Sequence, residues 1–309
     1  RQIDALATLT GRASERSYPV TLDVVDGTTA HVPVVVFGPA IDAGIGTTVR
    51  ITGTLTATEP GDDAAFLVFA ERPPVVESPP PWYLDWANGL RARFLAQARG
   101  LPGDGGDLLA GLAIGDTTDV GGTLDQAMKS SSLSHLTAVS GANCAIVIGL
   151  VMVAGAAVGI PRWARVAASL AVLVGFVVLV TPEPSVLRAA VMASLVLASM
   201  ARGRPVRGIP VLALATIVLL AFDPWLARSY GFVLSVLATA GLLLLAGPLA
   251  RVLERWLPRW LAIVIAVPFA AQLACQPVII LLSATLPTYG VVANVLAAPA
   301  APIATVTAA

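Results

Sequence analysis

The sequence predicts an α-helical polytopic membrane domain of about seven crossings, preceded by a small β-barrel domain. Three observations lead there. The 309 residues are 56% hydrophobic and only 12% charged, against roughly 25% charge in a soluble domain. The apolar excess is local, because the 50 residues after Arg259 carry no charge at all. And residues 1–75 hold short β-rich runs bounded by Gly, Pro and Asp rather than helical periods.

The barrel comes first. VTLDVVDG, AHVPVVVFG, TTVRITGTLTA and AAFLVFAE are separate runs, and within TVRITGTL the residues Val49, Ile51 and Leu55 alternate with polar ones as in a half-buried strand. Five short strands in such a length suit a small barrel of the OB or SH3 kind, between which the pattern does not choose. RPPVVESPPPW, residues 72–82, reads as a proline-rich stiff linker, and residues 76–100 are expected to hold that linker and an amphipathic helix. Trp82, Tyr83, Trp86, Leu90, Phe94 and Leu95 fall on roughly one face, with Arg91, Arg93 and Arg99 elsewhere. Aromatics on one side suit a helix lying at headgroup level in a membrane interface.

Residues 101–309 form the predicted membrane domain. Up to 134 the apolar pieces are too short for the ~20 residues that cross a ~30 Å hydrocarbon core. Candidate crossings then follow at 136–160, 163–181, 185–201, 208–222, 226–247, 260–284 and 288–309. The first, third and fifth connections carry eight arginines (162 and 165; 202, 204 and 207; 251, 255 and 259). The second and fourth carry Glu183 and Asp223, with Arg228 their only basic residue. The positive-inside rule makes the arginine-rich connections cytoplasmic and puts residue 135, with the barrel before it, outside a multi-pass plasma-membrane protein. The chain opens without Met and closes inside an apolar run, which leads to the expectation of a piece of a longer protein.

Several chemistries are excluded. Nineteen basic and nineteen acidic residues cancel, so overall charge points to no polyanionic partner. Only His31 and His135 are present, no His or Cys pair has metal-ligand spacing, and no phosphate-binding GxxxxGK[ST] loop occurs. No cofactor is implied. Cys144 and Cys275 read as small buried apolar residues.

The polar stretch LSHLTAVSGAN opening the first crossing carries the chemistry that remains. His135 near Ser140 suggests an intramembrane hydrolase, yet positions five apart on an α-helix stand about 140° out of phase, and no later histidine exists to help. A broken helix start lining an aqueous path fits better: Gly141 permits the break, and Ser140 and Asn143 hydrogen-bond without charge. The plainer alternative is a helix cap, with Asn143 bonding a neighbouring helix. Arg188, three residues after Ser185, either snorkels to the outer interface or meets an anion in a pore. Gln272 and Gln276 share a face of the sixth crossing, and Asn294 lies in the seventh; such amides serve helix packing or a wet path. Gly155 and Gly159 form a GxxxG pair, a close-packing signal.

SLSHLTAVSGAN, PSVLRAAVMASLVLASMARGRP, DPWLARSYGFVLSVLATAGLLLL and AQLACQPVIILLSATLPTYGVVANVLAAP, with GLAIGD before them, together resemble the ComEC family of bacterial competence proteins. The resemblance implies an OB-type extracellular barrel and a channel carrying single-stranded DNA inward in natural transformation. It also implies membrane helices before the barrel and, in many members, a metallo-β-lactamase-like nuclease domain after the helices. Other competence proteins and a cytoplasmic motor would be partners, beside the lipid bilayer. His135, Ser140, Gly141, Asn143, Lys129, Ser185, Arg188, Gln272 and Asn294 would line the DNA path, with no catalytic residue. Two departures stand out. The family's signature reads SGLH where this chain has Ala142 and Asn143, so any proton-dependent role there is lost. And residues 1–75 hold five arginines against nine acidic residues, a net charge of −4. Single-strand binders usually combine a basic groove with stacking aromatics, and Tyr18, Phe37, Phe66 and Phe69 are all this segment offers. A secondary transporter for a smaller anion and a scaffold without transport are the competing functions; the lack of an inverted repeat between 136–207 and 208–309 weighs against the first.

Overall fold

The computed structural model describes residues 1–282 apart from 15, 59–63, 102–104, 119, 132, 134–140, 181–183 and 204–206, together with residue 293; at 129, 130 and 142 it describes the backbone alone. The chain divides into two compact units, Arg1–Leu101 with Val178–Pro182, and Pro102–Val177 with Glu183–Ala309.

The first unit is built on six strands: β1 (Gln2–Leu9), β2 (Ser17–Val25), β3 (Thr28–Phe37), β4 (Thr48–Ala57), β5 (Phe66–Ala70) and β6 (Val75–Ser78). Along each long strand alternate residues point inward. Ile3, Ala5, Ala7 and Leu9 from β1 meet Tyr18, Val20 and Leu22 from β2, Val34 and Val36 from β3, Val49 and Ile51 from β4, and Val68 from β5. The hairpin β2–β3 turns on Asp26 and Gly27, both with positive φ (49° and 79°), the geometry that favours Asp-Gly in a two-residue turn. β3 pairs with β5 in parallel, β5 with β4, and β4 back onto β1. That order closes five strands into a barrel of the OB kind. Gly53 lets β4 and β5 approach, since a Cβ there would collide with the Phe69 carbonyl.

Two features differ from the sequence expectation. QIDALATL, not among the runs read as strands, forms β1 and closes the barrel. And VVES, inside the supposed linker, pairs with the first half of β4 as β6. Prolines bracket that segment at 73–74 and 79–81, where an edge strand tolerates them. Helix α1 (Trp82–Ala98) follows. It buries Ala87, Arg91, Leu95 and Ala98, and it leaves Trp82, Tyr83 and Trp86 exposed. Arg91 is the departure from the predicted pattern: it is buried, with Nε donating to the Leu179 carbonyl (2.8 Å), Nη2 to the Val178 carbonyl (2.7 Å) and Nη1 to Asn88 Oδ1 (2.7 Å).

The second unit is helical: α2 (Gly105–Ile114), α3 (Gly122–Ser130), α4 (Gly141–Ala157), α5 (Arg162–Leu179), α6 (Pro184–Ala201), α7 (Gly208–Phe222), α8 (Tyr230–Leu253) and α9 (Arg259–Leu282). Among the described residues, α5, α6, α8 and α9 are long and apolar enough to cross a membrane; α4 and α7, at 17 and 15 residues, are apolar but shorter. Six predicted crossings thus correspond to α4–α9, and 288–309 lies outside the described residues except Ala293. DPWLARSYGF is the joint between α7 and α8. Asp223 accepts from the Trp225 N–H (3.0 Å) to start a 3₁₀ turn over 224–228, and Ser229 accepts from the Phe232 N–H (3.3 Å) to cap α8. Leu226 and Phe232 then pack on Leu219. Of the GxxxG pair only Gly155 faces a neighbouring helix; a Cβ on Gly159 would meet nothing within 4 Å. Gly159 (φ 76°) ends α4, with the Ile160 N–H on the Gly155 carbonyl and the Gly159 N–H on that of Ala156, a Schellman stop. A Cβ on Gly155 would sit 2.8 Å from Arg165 Cγ.

Candidate functional site

Of the residues expected to carry function, Gly141 and Asn143 stand at the start of α4 and Arg188 on α6. His135 and Ser140 lie outside the described residues, as does Asn294; Lys129 lies on α3, its side chain outside the description. What the structure brings together is Gly141 and Arg188, while Asn143 reaches another helix. A Cβ on Gly141 would lie 3.1 Å from Ala189 Cβ and 3.7 Å from Arg188 Nη2, so glycine there lets α4 come against α6 beside the guanidinium. Two residues on, Asn143 is buried and its Nδ2 donates to the Leu112 carbonyl (3.2 Å) in the last turn of α2. Carbonyls of a final turn lack intrahelical partners, and the amide supplies one, as in the plainer alternative for this residue.

Arg188 sits in the first turns of α6 and does not snorkel. It is 7% exposed. Its Nη1 donates to the Ser235 carbonyl and to Thr239 Oγ1, both on α8. Among the described residues its buried Nε has no hydrogen-bond partner and no carboxylate pairs with it. A buried charge in that condition is costly unless something of opposite sign reaches it. Ser185 precedes it by three residues and is half-buried.

Sequence reasoning did not single out Ser235 and Thr239. Their spacing of four in FVLSVLATAG puts both on one helix face, the only signal available. Thr239 Oγ1 also donates back to the Ser235 carbonyl (3.0 Å). On α9, Gln272 is half-buried and makes no side-chain hydrogen bond to this cluster among the described residues. Gln276 keeps a buried Nε2 without a partner, and Cys275 Sγ donates to the Leu234 carbonyl (3.4 Å) on α8. Asp116, in GLAIGD, is buried and accepts from the Thr118 N–H (3.0 Å) and hydroxyl. Among the described residues no group of three His, Cys, Asp or Glu could hold a metal ion.

The barrel gives little to a polyanion. Arg1 pairs with Asp26 (2.9 Å), and Arg50 with Glu77 (2.7 Å) and Asp4 (3.4 Å); both carboxylates raise the Arg50 pKa. Tyr18 is fully buried and cannot stack on a base. Phe37 and Phe69 are exposed and stack on each other, ring centroids 5.7 Å apart.

A closed barrel of OB topology and a bundle of apolar, membrane-length helices with a buried cation at its heart define a membrane protein with a polar seam. A family model described as competence protein matches residues 112–309, and the chain belongs to that family, which ties it to competence and DNA uptake. No curated protein and no solved structure matches.

Proposed function

We propose that this chain is a multi-pass channel segment that passes single-stranded DNA inward across the cytoplasmic membrane in natural transformation. The observation that carries the reading is Arg188: a guanidinium withdrawn from water between α6 and α8, with an N–H unfilled and no carboxylate partner among the described residues. A passing phosphodiester would supply the missing acceptor. One such contact suits transport, because many would hold the strand in place. His135, Ser140, Gly141, Asn143 and Ser185 form the outer mouth, Lys129 offsets phosphate charge beside it, and Gln272 and Asn294 serve a wet path.

Orientation follows from the arginines. The connections α4–α5, α6–α7 and α8–α9 face the cytoplasm, so residues 1–75 form an extracellular domain, 76–100 a tether with α1 at the membrane surface, and 101–309 the transmembrane part. The exposed Trp82 and Trp86 suit that surface. A cytoplasmic motor and other competence proteins supply the drive; the chain itself carries out no covalent chemistry.

The test is uptake of labelled DNA into the cytoplasm of cells holding Arg188→Ala or Arg188→Lys at normal protein level. Loss of a charge-assisted phosphate contact predicts a fall of about tenfold or more for Ala, with partial retention for Lys. Wild-type uptake in Arg188→Ala would sink the assignment. In proteoliposomes, small-anion flux without DNA passage would favour the transporter.

A further inference from the structure

At the opposite end of the bundle, we infer that the α8–α9 hairpin holds an anionic phospholipid of the adjoining leaflet. Each helix has 24 residues, about 36 Å at 1.5 Å per residue, longer than a ~30 Å hydrocarbon core. Their shared turn therefore stands at headgroup level. Trp256 and Trp260, both exposed beside it, mark that depth as interfacial tryptophans do.

The two helices touch closely at mid-length, where a Cβ on Gly241 would lie 2.6 Å from Ala274 Cβ and 2.7 Å from the Ala270 carbonyl. Toward the turn the residues stay small, and a Cβ on Gly247 would meet nothing within 4 Å. A groove of about 340 Å³ opens there, floored by Gly247, Ala250, Ile263 and Val267, with Arg251, Arg259 and Glu254 at its mouth. Its floor suits an acyl chain and its mouth a phosphate, which arginine grips through parallel N–H donors. Basic pockets between membrane helices bind anionic headgroups in this way. Glu254, 3.7 Å from Arg259, partly neutralises that side and leaves Arg251 the principal phosphate partner. A neutral lipid would satisfy the floor and not the mouth; a free anion would satisfy the mouth alone. The site is separate from Arg188 and stands or falls independently of DNA transport.

Native mass spectrometry of the whole chain from nanodiscs of equal phosphatidylglycerol and phosphatidylcholine tests this. The wild type retains phosphatidylglycerol preferentially. Arg251→Gln with Arg259→Gln lowers that retention by about fivefold to tenfold. Gly247→Leu lowers it with both arginines in place, because the new side chain enters open space, a Cβ there meeting nothing within 4 Å. Equal retention of both lipids, or retention unchanged in Gly247→Leu, overturns the inference. So does a chain dimer that excludes lipid and is lost in Gly247→Leu, which would make the groove a contact between copies.

Discussion

The barrel and the helical unit place their large apolar residues differently. In the barrel the large apolar side chains, Leu9, Tyr18, Val36 and Ile51, are inside and sealed from solvent. In the helical unit many large ones face outward, among them Phe222, Leu244, Ile280 and Leu281. Its interior mixes large side chains such as Leu173, Leu197 and Phe232 with small or polar ones, Ala215, Ala262, Ala266, Ala270, Ser169, Asn143 and Arg188. Water drives the first arrangement. In lipid that drive between helices is absent, and close backbone approach with internal hydrogen bonds takes its place. Exposure is therefore the exception for large hydrophobes in the barrel, as at Phe37 and Phe69, and the common state in the helices, where it suits a lipid-facing surface.

Substitutions can break that contrast. Ile51→Ala should cost about 2–5 kcal/mol of barrel stability through lost burial and a cavity. Leu281→Ala, the same kind of truncation on a side chain 83% exposed, should leave thermal unfolding of the purified chain in detergent nearly unmoved. Equal losses would erase the distinction. Next in size is Gly241→Leu, which must force α8 from α9 and should cost about 1–3 kcal/mol or more. Circular dichroism melts of the helical signal check it.

Asn143→Ala removes one hydrogen bond to Leu112 and should cost about 1 kcal/mol; Asn143→Gln, with its longer reach, should not rescue it. The smallest effect is in the barrel and depends on pH. Burial raises the Tyr18 pKa above its ordinary 10.0, so the folded barrel keeps a proton that the unfolded chain sheds. The contribution is whole below about pH 10 and is lost as pH rises through the folded value. Urea unfolding at about pH 8 and pH 10.5 should show a smaller alkaline loss in Tyr18→Phe than in the wild type.

Much of this was legible beforehand, for physical reasons. Alternation in TVRITGTL and the Asp-Gly turn mark strands, because a closed sheet repeats every two residues. Long apolar runs and arginine-bearing connections mark crossings. What escaped notice depended on partners distant in sequence. QIDALATL has too many polar and small residues to stand out as a strand, and it does so only once β4 lies beside it. Arg188 alone fits either an interface or an interior; Ser235 and Thr239, some fifty residues on, decide it. Arg91 lies off the aromatic face of its helix, where charge usually meets solvent, yet the carbonyls of Val178 and Leu179 take it in. Gly159 matched a packing motif by spacing, while its positive φ makes it a stop.

Barrel closure has one more consequence. With β1 joined to β4 and β3 to β5, β6 keeps an open side; it is four residues long, with Val75 and Val76 exposed and prolines before and after it. So short and so flanked, it is a poor template for a neighbour's strand. At that edge, copies crowded on one patch of membrane would gain little from sheet-to-sheet pairing.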